Sequence, residues 1–192
     1  MNTNRWIVTT APTWEPVTLA EAKDHMRVDH SDEDAVISGL IPSAREYLEG
    51  VLGSALPQQS ITAYYSTFWN LLTLPRACPL QSVTSVKYLD EDGVLQTVDS
   101  AVYDVYTAPT PGEVRLAYNQ TWPTHRIVTD PVRIEYVAGY AGAGSVPAPL
   151  RAAMLLLIGH WYENREATSP LDIKDVPGTI GALVTAYKMR WV

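Results

Sequence analysis

One cysteine, Cys78, is present in 192 residues, so no disulfide can close within the chain. The four histidines, His25, His30, His125 and His160, are scattered and have no cysteine cluster beside them at zinc-ligand spacing. The longest unbroken apolar run, Ala152 to Ile158, is far too short to cross a bilayer. The start, Met1-Asn2-Thr3-Asn4-Arg5-Trp6, lacks the apolar core of a signal peptide. Neither export nor membrane insertion is expected, and Asn119-Gln120-Thr121 is therefore not read as a glycosylation acceptor. There is no internal repeat and no low-complexity tract. Lys and Arg total 14 against 21 Asp and Glu, a net charge of −7. With the basic residues dispersed, a phosphate-binding surface is not expected as the main activity.

What the chain has is a 46% hydrophobic content, enough for a core without disulfides or metal. It also has six Trp and eleven Tyr against a single Phe. Those side chains join apolar area to one polar tip, which serves both cores and protein interfaces.

Helix signals open the chain. Thr18-Leu19-Ala20-Glu21 predicts a capping box, after Pro16 has kept the backbone extended, and the helix should end near Arg27 or Val28. Ser31, followed by Asp32, Glu33 and Asp34, predicts the cap of a second helix running to about Leu52, with Gly53 as its stop. At 100° per residue Val36, Ile37, Leu40, Ile41, Ala44, Tyr47, Leu48 and Val51 form the expected buried side. Ser38, Arg45, Glu46, Glu49 and Gly50 form the expected polar side. Pro42 lies toward the polar side, where a kink without a break is expected.

From Pro57 to Val137 the period changes to two. Strands are predicted at Gln59 to Ser66, Val83 to Leu89, Val94 to Val98, Glu113 to Tyr118 and Val132 to Val137. Asp90-Glu91-Asp92-Gly93 reads as a hairpin turn; as a calcium loop it lacks the alternating ligands and the distant Glu. Pro147 and Pro149 then open a helix whose stripe is Leu150, Met154, Leu157, Ile158 and Trp161. Ala152, Ala153, Leu155, Leu156 and Tyr162 make it apolar nearly all round, so it must be covered on more than one side. Asn164 to Val176 reads as a polar linker. A last short helix starts at Pro177 and carries Ile180, Leu183, Val184, Tyr187 and Trp191 at helical spacing. These five residues are the candidate assembly contacts.

Catalytic and cofactor motifs do not fit. Gly139, Gly142 and Gly144 stand between a strand and a helix but give G-x-x-G-x-G, with no following Lys-Ser or Lys-Thr and no parallel βαβ pattern. His160 and Glu163 can meet on a helix face, yet no second pair completes a metal site, and a helix-terminal hydrogen-bond network is the expected role. Cys78 sits between Ala77 and Pro79 with nothing adjacent to lower its pKa. No G-x-S-x-G elbow occurs. No catalytic residue, cofactor or metal is assigned. The alternatives are a hydrolase with dispersed site residues and a nucleic-acid-binding module.

The order of segments resembles the phage head-tail connector, or head-tail adaptor, family. The likeness is carried by Glu15-Pro16-Val17-Thr18-Leu19-Ala20-Glu21-Ala22-Lys23, Met26-Arg27-Val28-Asp29 and Ala44-Arg45-Glu46-Tyr47-Leu48-Glu49. It continues through Leu74-Pro75-Arg76, Pro79-Leu80, Ser82 to Tyr88, Asp92-Gly93, Tyr103, Trp122-Pro123, Ala138-Gly139-Tyr140, Val146-Pro147, Leu150 and His160 to Glu166. The resemblance implies an α+β fold, a small helical bundle with an antiparallel β region inserted between the second and third main helices. It implies one connector domain over 1–192, made of N-terminal helices (1–56), the β insertion (57–137) and C-terminal helices (138–192). It further implies a structural, non-enzymatic subunit in the virion neck, assembled as a homo-oligomeric ring on a portal protein. A tail-side or stopper protein would lie below, and genomic DNA would pass through without specific binding.

Overall fold

A computed structural model gives the fold and describes residues 5–108, 110–164 and 178–189. In chain order the elements are β1 (Arg5–Thr10), α1 (Leu19–Met26), α2 (Asp34–Leu52), β2 (Gln59–Tyr65), β3 (Leu71–Thr73), β4 (Leu80–Leu89) and β5 (Leu95–Thr97). Then come β6 (Tyr103–Tyr106), β7 (Glu113–Leu116), β8 (Val132–Ala138), α3 (Ala148–Glu163) and α4 (Gly178–Thr185). The fold is α+β, as the family resemblance implies. The chain divides into a β unit, Gln58–Tyr140 with the N-terminal residues to Pro12, and a helical unit, Thr13–Pro57 with Ala141–Lys188.

In the helical unit the expected capping box forms around α1. The Glu21 backbone N–H donates to Thr18 Oγ1 at 3.2 Å, and the Thr18 N–H donates to Glu21 Oε2 at 2.8 Å. Arg27 ends the helix in the left-handed conformation. The second cap falls two residues later than expected. Ser31 accepts the Asp34 N–H through its backbone carbonyl, and Glu33 is the N-cap without a side-chain bond. The helix then runs unbroken through Pro42 to Gly53, whose φ of 70° suits a glycine stop. Ile37, Ile41, Ala44, Leu48 and Leu52 are buried, and α1, α2 and α4 all pack on α3. No residue of α3 from Leu150 to Gly159 is exposed, as its all-round apolar surface requires.

The β unit holds two antiparallel sheets, one in the order β1-β2-β8-β4-β5 and one in the order β3-β7-β6. Alternation is clean in central β8, where Val132, Ile134, Tyr136 and Ala138 are buried. Two buried tyrosines tie the larger sheet to the end of β3 and the residues after it. Tyr65 Oη donates to the Thr73 carbonyl at 2.8 Å, and Tyr136 Oη donates to the Pro75 carbonyl at 2.5 Å. The Asp90–Gly93 turn forms as expected: the Gly93 N–H donates to the Asp90 carbonyl, with φ of 85° at the glycine.

Strands β1, β3 and β6 are absent from the sequence-based prediction. All six residues of β1 are exposed, so it has no amphipathic period to find. β3 and β6 are three and four residues long.

Candidate functional site

The helical unit is built around an ionic network that its amphipathic pattern does not anticipate. Arg45 and Glu49 belong to the expected polar side of α2, yet they are 7% and 2% exposed. They can be buried because they satisfy each other and their neighbours. Arg45 Nε donates to Glu15 at 2.9 Å, its Nη1 to Glu49 Oε2 at 3.3 Å and its Nη2 to Glu46 at 3.2 Å. The second Glu49 oxygen accepts the Leu56 backbone N–H at 2.8 Å. The network fastens the segment before α1 and the chain after α2 to the middle of α2. Burial raises the Glu15 pKa, against the opposing pull of Arg45. For Arg45 burial acts downward, but the carboxylates of Glu15 and Glu49 outweigh it and the net shift is up. Conversely, Val36 and Tyr47, expected on the buried side, are exposed, with the Tyr47 ring edge-on to Trp161 at 5.8 Å.

A second polar joint sits at the start of α1. Arg151 of α3 donates from Nε to the Pro16 carbonyl at 3.0 Å and from Nη2 to Glu21 Oε1. The Thr18 N–H is the largest influence holding the Glu21 carboxyl below its ordinary pKa, with the Thr18 hydroxyl and Arg151 adding to it against burial. Lys23 pairs with Asp34 at 2.6 Å, and Tyr162 donates to Glu33. Beside this joint is an apolar pocket of about 470 Å³ whose lining includes Trp14, Val17, Leu19, Ile41 and Ala143.

Of the candidate assembly contacts, Ile180 and Val184 are buried on α4, which packs against α3, while Leu183 and Tyr187 are half-buried. Trp191 and most of the Asn164–Val176 linker lie outside the described residues. At the end of α3 the Asn164 amide donates to the His160 carbonyl at 2.8 Å and lies 3.3 Å from His160 Nδ1, so the helix-terminal network involves Asn164. Among the described residues no three His, Cys, Asp or Glu side chains are grouped to hold a metal ion. Burial pushes the Cys78 thiol pKa up, which makes it a poor nucleophile. No helix among the described residues is long and apolar enough to cross a membrane.

The β unit carries an aromatic row that the sequence pattern does not expose. Phe68 stacks on Trp122 at 4.6 Å, and Trp122 stacks on Tyr103 at 6.4 Å. Trp122 Nε1 also donates to the Trp69 carbonyl at 3.1 Å. Its rings come from three separated stretches, so only the fold brings them together. They anchor the base of the long 117–131 connection, where Tyr118 and Ile127 are almost wholly exposed.

The sites described are joints and surfaces, with no nucleophile, base and oxyanion donors converging. Residues 16–106 match the family model described as "Phage gp6-like head-tail connector protein". This likeness to the phage head-tail connector family covers just under half of the chain. The match begins at Pro16, within the α1 joint, and takes in Thr18, Glu21, Arg45 and Glu49. Similar folds are found in gene transfer agent (GTA) particles. A chain of the structure described as "Neck of empty GTA particle computed with C6 symmetry" superposes with a TM-score of 0.81 at 24% identity, over 98% of this chain and 97% of that one. A chain of "Virion of native gene transfer agent (GTA) particle" gives 0.80 at 25% identity, covering 97% and 96%. One from "Neck of native GTA particle computed with C12 symmetry" gives 0.78 at 23% identity, covering 98% and 97%. Comparison with curated proteins gives no match.

Proposed function

We propose that this protein is a head-tail connector, a non-enzymatic subunit of the virion neck, assembling as a homo-oligomeric ring against a portal protein and receiving a tail-side or stopper protein below. The observation that carries the reading is the family match over residues 16–106. The shared fold with neck chains along nearly the whole length supports it. The net charge of −7 supports a channel through which duplex DNA slides without being held. The three parts of the sequence, 1–56, 57–137 and 138–192, act together as one connector domain. Leu183 of α4 and Tyr187 in the turn after it, both half-buried in the subunit, and Trp191 are the members of the C-terminal stripe proposed to meet a neighbour or the portal. Mixing the purified protein with its cognate portal tests the reading. A ring-shaped complex of fixed stoichiometry in native mass spectrometry and negative-stain images is expected; no association at high concentration would refute it.

A further inference from the structure

We infer that the ring is held in part by strand addition, β1 of one subunit pairing in parallel with β6 of the next. This rests on the ring reading above. β1 is exposed at every residue, with Trp6, Ile7 and Val8 apolar in succession, and among the described residues no strand pairs with its outer edge. Free edges are normally blunted by Lys, Pro, brevity or bulges. β1 has neither Lys nor Pro, and its one irregularity lies at its end, between Val8 and Thr10.

A cyclic ring needs a contact between two unlike patches of the same chain. β1 against β1 would be a two-fold contact and would stop at a dimer. β5 is excluded by twist. Strands rotate by roughly 20–25° per step, so β1 and β5, four steps apart, differ by roughly 80–100°. In a closed ring every copy has the same tilt, so a neighbour's β5 would cross β1 too steeply to pair. β5 is also three residues long, follows the acidic Asp90-Glu91-Asp92 turn, and adjoins a β4 broken by two register shifts.

β6 edges the second sheet, so the accumulated twist of the first does not fix its angle to β1. Its Val105 and Tyr106 are exposed. Its only charge is Asp104, and the only charge of β1 is Arg5, whose side chain is 67% exposed despite a loose 3.7 Å pair with Asp130. Parallel pairing that sets Arg5 opposite Asp104 also sets Trp6 opposite Val105 and Ile7 opposite Tyr106, so charge meets opposite charge and apolar meets apolar. Antiparallel pairing centred on Ile7 and Val105 would instead set Asp104 against Val8.

The test is cross-linking of assembled rings carrying Cys78→Ser, Ile7→Cys and Tyr106→Cys with a short bismaleimide. The doubly substituted protein should give a ladder of dimer, trimer and higher species on denaturing gels, with neither single variant doing so. Arg5→Glu or Asp104→Lys alone should lower the ring fraction, and the two together should restore it. Rings of normal mass without a ladder overturn the inference and leave the ring reading intact. Dimers from Ile7→Cys alone overturn it in favour of a two-fold contact. Absence of rings from the unsubstituted protein with portal overturns the ring reading itself, and this inference with it.

Discussion

Replacing Arg45 by Met should unfold the helical unit at a markedly lower temperature than any change on the protein's surface. The substitution keeps most of the side chain's apolar bulk and removes its charge. Glu49, 2% exposed, then loses the guanidinium that lies 3.3 Å from one of its oxygens, while the other oxygen stays held by the Leu56 N–H. Glu15, half-buried, loses its partner too. Breaking one side of a buried pair costs about 3–5 kcal/mol, because the remaining buried charge loses an opposite charge that offset its desolvation. For a chain of this size each kcal/mol lowers Tm by about 2–4 °C, so a fall of about 6–20 °C is expected in circular dichroism or calorimetry. Adding Glu49→Gln removes the buried charge that Arg45 faced while its amide oxygen can keep the Leu56 bond, and should recover at least half the loss. A Tm fall under about 2 °C for Arg45→Met, or no recovery in the double variant, would refute the reasoning.

Other consequences follow from single contacts. Glu21→Gln weakens the capping box and its Arg151 pair, costing about 0.5–2 kcal/mol at pH 7. Because the folded Glu21 pKa is depressed, that stability is present above the unfolded pKa and is lost as pH falls through the folded value, so melts of the two proteins should converge in acid. Tyr136→Phe strands the buried Pro75 carbonyl and should cost about 1–3 kcal/mol in denaturant titration, whereas a loss near zero would mean water replaces the hydroxyl. Gly112→Ala places a Cβ 2.5 Å from Leu80 Cβ and should destabilise the β unit by about 1–3 kcal/mol. Ile180→Ala should cost about 2–5 kcal/mol, since Ile180 is buried in the isolated subunit; an unchanged melt would place its burial elsewhere.

Much of the helical unit is legible in the sequence because its signals are local. Thr18 with Glu21 and the glycine after Leu52 each act within four residues, and the fully apolar α3 announces that it is surrounded. The ionic network is not legible, since a period-3.6 pattern sorts Arg45 and Glu49 by polarity and cannot see Glu15, thirty positions away in the chain, closing on Arg45. The central strands announce themselves by alternation, but β1 is wet on both faces and so gives no period. The aromatic row depends on Phe68, Tyr103 and Trp122 meeting across long separations, information held only by strand pairing. The candidate stripe at the C-terminus is helical at Ile180, Leu183 and Val184, but α4 ends at Thr185 and leaves Tyr187 in the turn after it, and helical spacing alone does not say whether a neighbour or α3 covers the stripe. Burial answers that for Ile180 and Val184.

The most direct test of the connector role is native mass spectrometry of the purified chain with and without its cognate portal, followed by imaging of the complex. A closed ring of identical subunits seated on the portal, at a stoichiometry fixed by the portal's symmetry, is the predicted result. A chain that stays free of the portal at every concentration, or binds it in no fixed ratio, would contradict the account.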